Sequence, residues 1–184
     1  MDEKSQIQAL ERTRPLLPLR PGIPARQTHD YPRHGTTTLY AALSMLDGKV
    51  IGECLPRHRS EEFLHFLRRI DRETPADRAL HLIVDNSSTH KSPPVKQWLL
   101  RHKRFHLHFT PTSSSWLMVE RWFGEISQKR IRRGTFQSVK ELIAAIEEYL
   151  DQYNLAPKRF VWTKDADMIL SKVARCKEAL VTGH

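Results

Sequence analysis

An Asp-Gly pair between two strand-like segments constrains the fold of this chain more than any other feature. Asp47 and Gly48 separate residues 36–46 (TTTLYAALSML) from residues 49–55 (KVIGECL), a pattern that predicts a β-hairpin. Four segments of alternating type follow: a helix that Ser60 would cap, an apolar buried strand at 80–84, a helix opened by Ser92 and Pro93, and a strand at 105–109. Because a hairpin is antiparallel whereas the later strands need crossover connections, this order predicts an α/β fold with a mixed sheet.

The two ends of the chain give further expectations. Breakers crowd the first 35 residues, which are interpreted as a long connecting segment after the element that holds Asp2; they are Pro15, Pro18, Pro21, Gly22, Pro24, Pro32 and Gly35. Three helices are predicted after residue 115: one with Val119, Trp122, Phe123 and Ile126 on its apolar face, one begun by a capping box of Ser138 and Glu141, and one near 165–176.

Composition limits the class of protein. A length of 184 residues with 39% hydrophobic residues suits one domain with a real core. The two cysteines, Cys54 and Cys176, are far apart, which excludes a disulfide scaffold and a zinc ribbon and favours a reducing cytoplasm. No apolar run reaches the roughly 20 residues of a membrane helix, and the first residues (MDEK) are not those of a signal peptide.

The formal net charge of +9 indicates an anionic partner, most simply nucleic acid. The excess lies between Thr89 and Lys140, where 11 Lys and Arg residues stand against two acids, while the rest of the chain is balanced. This segment contains a cationic run made of Lys129, Arg130, Arg132 and Arg133. Two interpretations of the run stay open: a solvated helix end favoured by the helix dipole, or a patch that contacts phosphate.

Two acidic residues stand where an α/β fold places catalytic groups. Asp85 ends the predicted strand at 80–84, at the carboxyl edge of the sheet, and Glu120 flanks the apolar face of its helix. Each alone has a plain structural interpretation, since Asp85 would form a turn with Asn86 and Glu120 would be solvated. With Asp2 as a third carboxylate at the same point, the group would need cations, and hard oxygen ligands suit two Mg²⁺ or Mn²⁺ ions.

Histidine and tryptophan are two further residue types that could form a site. The chain has 10 histidines, but none shows the helical His-x-x-x-His spacing with a supporting acid, and His106 and His108 alternate on a solvent or sheet face, so zinc is not expected. Trp116, after three serines at 113–115, would either contact a DNA backbone or plug the core.

Several motifs together resemble one protein family. Residues 85–90 (DNSSTH), 105–116 (FHLHFTPTSSSW) and 119–123 (VERWF) look like the catalytic domain of bacterial insertion-sequence transposases of the mariner superfamily. Residues 2–5 (DEKS) and 30–39 (DYPRHGTTTL) are similar to the same family. The likeness runs along nearly the whole chain.

The resemblance implies an α/β fold of the ribonuclease H-like type. Its mixed five-stranded sheet would be flanked by helices, with the first strand partly missing. Residues 1–184 would form one DDE transposase catalytic domain, with the ribonuclease H-like core at about 1–135 and C-terminal helices at about 138–177.

The resemblance also implies a site and a reaction. Asp2, Asp85 and Glu120 match the family's Asp-Asp-Glu triad, which binds two Mg²⁺ (or Mn²⁺) ions, cuts DNA at the element ends and joins the freed 3′-hydroxyl to target DNA. Asn86 and His90 would orient Asp85. Eight residues would contact DNA: Lys91, Ser114, Trp116, Arg121, Lys129, Arg130, Arg132 and Arg133. The expected partners are double-stranded DNA and a second copy of the chain in a homodimer. The expected location is the bacterial cytoplasm at the nucleoid, without membrane association.

Two departures from the family pattern keep an alternative open. Residues 116–120 (WLMVE) are one residue shorter than the family's segment, and the chain begins one residue before Asp2, as in an N-terminally truncated copy without the family's helix-turn-helix region. The leading prediction is a DDE-type transposase catalytic domain; the alternative is an inactive remnant that binds DNA non-specifically through charge. An RNA-directed ribonuclease has only fold analogy to support it.

Overall fold

Two adjoining β-sheets form the centre of the protein. The structure is a computed structural model that describes residues 1–11, 31–111, 118–159, 167, 168 and 171. Its strands are β1 (Asp2–Leu10), β2 (Arg33–Leu43), β3 (Val50–Leu55), β4 (Leu80–Val84) and β5 (Phe105–Phe109). β1, β2 and β3 pair antiparallel in that order, and β4 pairs parallel with β5. The main-chain nitrogen of Met1 donates a 2.9 Å hydrogen bond to the carbonyl of Ile83, which brings the start of β1 beside β4.

Four helices surround the strands: α1 (Ser60–Glu73), α2 (Pro93–Arg101), α3 (Met118–Ile126) and α4 (Val139–Leu155). A 3₁₀ helix at Ser88–Lys91 precedes α2, and a π-helical turn at Ser127–Ile131 continues α3. Of the helix predicted near 165–176, residues 167, 168 and 171 are described and helical, and the others lie outside the described residues. None of the helices in the described ranges combines the length and apolarity needed to cross a bilayer.

The central strand β2 is buried on both faces, because its neighbouring side chains enter two different clusters. Leu39 and Ala41 pack with the apolar faces of α3 and α4, whereas Tyr40, between them, packs with α1. All three are at most 1% exposed. Alternation along a strand sends successive side chains to opposite faces, so β2 lies between two helical layers.

The structure confirms the predicted α/β class, the mixed pairing and the hairpin. The five strands that it describes form a three-stranded and a two-stranded sheet rather than the single five-stranded sheet that was expected. Gly48 adopts a φ of +77°, which glycine tolerates and a β-branched residue does not, and the amide of Lys49 donates to the Asp47 carboxylate at 3.1 Å. The capping residue of α4 is also confirmed, since the Ser138 hydroxyl accepts from the amide of Glu141 at 3.1 Å. The Glu141 carboxylate accepts from the amide of Gln137 rather than from that of Ser138.

The predicted connecting segment is too long at both ends, because the strand that holds Asp2, β1, continues to Leu10 and β2 begins at Arg33. Ile7 and Ala9 alternate into the core and are 5% and 0% exposed. The first proline stands at position 15, so the breakers say nothing about the residues of β1.

Two smaller predictions also need correction. Arg59, rather than Ser60, occupies the N-cap of α1, and its amide donates to the Glu62 carboxylate at 3.2 Å, so the helix starts without a serine cap. The strand at 80–84 is buried on one face only: Val84 is fully buried, whereas Ile83 is 54% exposed. The reason is that α1 and α2 cover only one side of this parallel pair.

Candidate active site

The adjoining ends of β1 and β4 bring two predicted ligands together. Asp2 is the first residue of β1 and is partly buried, and Asp85 directly follows β4. The hydrogen bond from Met1 to Ile83 fixes the two main chains side by side just before these residues. The Asp2 and Asp85 carboxylates consequently act on each other electrostatically.

The environment of Asp2 disfavours the ionised form of its carboxyl group. Burial raises the pKa of Asp2 to about 6, and the nearby charges of Glu3 and Asp85 act in the same direction. A 2.9 Å hydrogen bond from the amide of Glu3 to the Asp2 carboxylate opposes the rise. The ammonium group of Met1 also opposes the rise, so charges of both signs surround Asp2.

His90 lies behind Asp85 in the 3₁₀ helix and is 2% exposed. Its Nδ1 is 2.8 Å from Asp85 Oδ1, and its Nε2 is 3.4 Å from Glu3 Oε2. The ring stacks on Phe63 with a centroid distance of 4.1 Å. Burial alone would lower the pKa of His90, but hydrogen bonding to Glu3 and the charges of Glu3 and Asp85 outweigh it and raise the pKa. The structure thus brings His90 into contact with Asp85.

Glu120 stands apart from this pair in the first turn of α3. It is partly buried, next to Val119, which is 1% exposed in the core. One turn further on, a Cβ at Gly124 would meet no atom within 4 Å, so this side of α3 is open. Within the described ranges, no three His, Cys, Asp or Glu side chains form a group that could hold a metal ion. The complete triad of Asp2, Asp85 and Glu120 therefore stays a prediction.

A family match covers the strands and helices that carry these residues. Residues 1–143 match the model of a family described as DDE superfamily endonuclease. The chain belongs to this family. Endonucleases of this superfamily generally use divalent metal ions. No curated protein matches the chain.

The fold of this DDE endonuclease is similar to two solved structures. One is the crystal structure of the Mos1 strand transfer complex, with a TM-score of 0.58 and 20% identity over 86% of this chain and 47% of that chain. The other is a pre-cleavage Mos1 transpososome, with a TM-score of 0.53 and 17% identity over 86% of this chain and 48% of that chain. The chain spans about half the length of these solved chains. The likeness confirms the predicted ribonuclease H-like fold; the predicted domain limits stay a prediction.

The donors of the carboxylate pair suit the metal ions of DDE endonucleases. Asp2 and Asp85 offer only carboxylate oxygens, which prefer hard cations such as Mg²⁺ or Mn²⁺ over Zn²⁺. These two residues therefore fit a divalent cation.

Asn86 and Lys91 of the DDE endonuclease contact each other beside the site. The Lys91 ammonium donates to the side-chain oxygen of Asn86 and lies 4.6 Å from the ring centre of Phe109. Lys91 is nevertheless exposed at the surface. Ser114 and Trp116, predicted to contact DNA, lie outside the described residues.

The predicted cationic run falls on and just after the π-helical turn of this DDE endonuclease. Two of its members form ion pairs with acids of the same chain: Lys129 with Glu125, and Arg130 with Glu148 at 2.5 Å. Five side chains that are predicted to contact DNA on this part of the chain are exposed or partly exposed: Arg121, Lys129, Arg130, Arg132 and Arg133. The sequence did not show the pairing of Arg130, since Glu148 lies on α4, 18 residues away.

The exposed face of β4 and β5 carries three histidines. His81 Nδ1 lies 2.9 Å from His108 Nε2, and the ring of His81 stacks on that of His106 with a centroid distance of 4.8 Å. The prediction that His106 and His108 share one face away from the core is confirmed.

Proposed function

We propose that the protein is the catalytic domain of a DNA transposase that cuts phosphodiester bonds at the ends of an element and joins them to target DNA. One observation carries the proposal: in a chain of the DDE endonuclease family, β1 and β4 bring the Asp2 and Asp85 carboxylates together. Acid pairs at adjoining strand ends are suited to divalent cations, whose chemistry acts on phosphate oxygens.

In this proposal each side chain has a defined task. Asp2 and Asp85 would hold two Mg²⁺ or Mn²⁺ ions, and Glu120, from the open side of α3, would supply the third carboxylate. The ions would act as Lewis acids at the scissile phosphate. Asn86 and His90 would keep Asp85 oriented. A water oxygen would bond to phosphorus while the bond to the 3′ oxygen breaks, and the resulting 3′-hydroxyl would attack target DNA in the same way.

The charge of the chain supports double-stranded DNA as the partner. The net charge is +9, and exposed Arg121, Arg132 and Arg133 follow Glu120 on α3 and the turn after it. Both similar solved structures are described as transposition complexes of Mos1. Lys129 and Arg130 are held in ion pairs with acids, which would reduce their contribution to phosphate binding. A homodimer at the bacterial nucleoid, in the cytoplasm, completes the proposal.

The test is nicking of supercoiled plasmid in Mg²⁺ or Mn²⁺ by the wild type and two variants. Asp85→Asn removes one metal ligand, and we expect nicking to fall by at least about 100-fold. Asp77→Asn is the matched control: it makes the same change of charge at a side chain that is 80% exposed, and it should nick like the wild type. Equal nicking by Asp85→Asn and the wild type would refute the assignment.

The alternative is a remnant that binds DNA without cutting it. It is favoured by the absence of a three-residue metal group among the residues that the structure describes. This alternative predicts DNA binding that weakens steeply as salt increases, with no nicking in either metal. Nicking that depends on Asp85 would exclude it.

A further inference from the structure

A buried imidazole joins two carboxylates behind the proposed metal site. The His90 ring reaches Asp85 Oδ1 with one nitrogen, at 2.8 Å, and Glu3 Oε2 with the other, at 3.4 Å. His90 is 2% exposed, and the side chain of Glu3 is 14% exposed. Glu3 directly follows Asp2 but is not one of the proposed metal ligands.

We propose that Glu3 is a positioning residue that acts through His90 to hold the Asp85 carboxylate in the orientation that a metal ion needs. The inference rests on the proposed function, since it concerns the same site. Glu3 is not a metal ligand in this proposal, because its carboxylate contacts His90 rather than Asp85.

The geometry of β1 explains how two neighbouring acids can serve different sides of the site. Successive residues of a strand point to opposite faces. Asp2 and Glu3 are the first two residues of β1, so their carboxylates leave the strand in different directions. Asp2 acts on Asp85 directly through charge, whereas Glu3 reaches it through the His90 ring.

The surroundings of His90 leave its ring little freedom. Phe63 stacks on one face at 4.1 Å, and the main-chain carbonyl of Asp85 lies 3.4 Å from Nδ1. A buried ring with a carboxylate at each nitrogen is held in one orientation, as in the carboxylate–histidine pairs that orient metal ligands. Nε2 of His90 is buried and forms no hydrogen bond of good geometry, and the carboxylate that it contacts is that of Glu3 at 3.4 Å.

Asp85 needs a residue that fixes its orientation because one of its carboxylate oxygens is buried. Asp85 Oδ1 is fully buried, and its 2.8 Å contact with His90 Nδ1 holds it in place and leaves the other oxygen of Asp85 for a cation. Loss of Glu3 would remove the carboxylate that keeps the His90 ring in this position.

The experiment measures Mn²⁺ affinity from the electron paramagnetic resonance signal of the free ion. We expect Glu3→Ala to weaken Mn²⁺ binding by about 10- to 100-fold, the effect usual for residues that orient metal ligands. Glu3→Gln keeps an acceptor for His90 and should restore part of the loss; it also serves if Glu3→Ala does not fold. Glu53→Ala is the matched control, because Glu53 contacts His65 at 3.1 Å outside the site, and it should bind like the wild type.

A double variant distinguishes positioning through His90 from a direct effect of Glu3. In the His90→Asn background, which removes the link to Glu3, adding Glu3→Ala should cause no further loss of affinity. Losses that multiply would overturn the proposal, as would unchanged affinity in Glu3→Ala when Asp85→Asn binds weakly. If the wild type binds no Mn²⁺, the proposed function fails together with this inference.

Discussion

Asn154 joins the end of α4 to the edge of the sheet, and its replacement should test this packing quantitatively. Its side-chain oxygen accepts from the amide of Val50 at 2.9 Å, and its side-chain nitrogen donates to the carbonyl of Val50 at 2.8 Å. Val50 is 3% exposed and begins β3, the outer strand of the three-stranded sheet. Asn154 therefore satisfies two main-chain groups that would otherwise lack partners.

Replacement of Asn154 by leucine, close to it in size, would leave both groups of Val50 without a partner. Each buried group left unsatisfied costs roughly 1–3 kcal/mol. Because Asn154 is itself only partly buried, water can reach part of this site, and we expect the free energy of unfolding to fall by about 2–3 kcal/mol. For a chain of this length the corresponding fall in Tm is roughly 4–12 °C.

Urea denaturation followed by circular dichroism, together with a thermal melt, would measure the loss. Asn154→Asp keeps the acceptor for the Val50 amide and loses the donor, so it should be intermediate at pH 7 and recover in acid, where its protonated carboxyl can donate. Gln152→Leu makes a similar change at an exposed position of α4 and should stay within about 0.5 kcal/mol of the wild type. An equally small change in Asn154→Leu would refute the reasoning.

Three further predictions concern single side chains. Gly124→Ala should raise the free energy of unfolding by about 1 kcal/mol in urea melts, because the new Cβ meets no atom within 4 Å and alanine favours the helix; destabilisation would contradict the open side of α3. Burial raises the pKa of Cys54 to about 12, so alkylation at pH 8 in a Cys176→Ser variant should be roughly 1,000-fold slower than after unfolding. Arg104 donates from Nε to the Asp71 carboxylate at 2.8 Å and from Nη2 to the main-chain carbonyl of Asp71 at 2.7 Å. Arg104→Lys should therefore lower the free energy of unfolding by about 1–3 kcal/mol, whereas a loss below about 0.5 kcal/mol in the same melts would contradict this.

The features that the sequence predicted correctly are local ones. The Asp47–Gly48 turn needs only its own residues, because glycine supplies the positive φ and the aspartate carboxylate accepts from the amide two residues on. The cap of α4 likewise depends on Ser138 and on an amide three residues later. Such signals can be found by spacing alone.

The features that escaped prediction join residues far apart in the chain. Met1 contacts Ile83 across 82 residues, and Arg130 contacts Glu148 on a different helix. The strand β1, with only Ile7 and Ala9 buried near its end, carries too weak an alternation to be recognised without its partner β2. Only the fold shows which charges already have a partner, and the net charge of a segment therefore overstates what it offers to phosphate.

In the candidate site, too, local features could be predicted and long-range contacts could not. The proposed ligand Asp85 follows from the end of a strand, whereas the residues that hold it in place follow from packing. Asp85 could be predicted from the edge of β4, but a glutamate beside Asp2 looks like one more surface acid until the His90 ring is placed between Glu3 and Asp85. Burial and neighbouring charge raise the pKa of Asp2 to about 6, so gathering these carboxylates costs folding free energy. The contact of His90 with Asp85 offsets part of this cost in folding free energy, and a divalent cation bound by Asp2 and Asp85 would offset more. A protein selected for stability alone would gain by losing one of these acids, which agrees with the cation binding that we propose for this site.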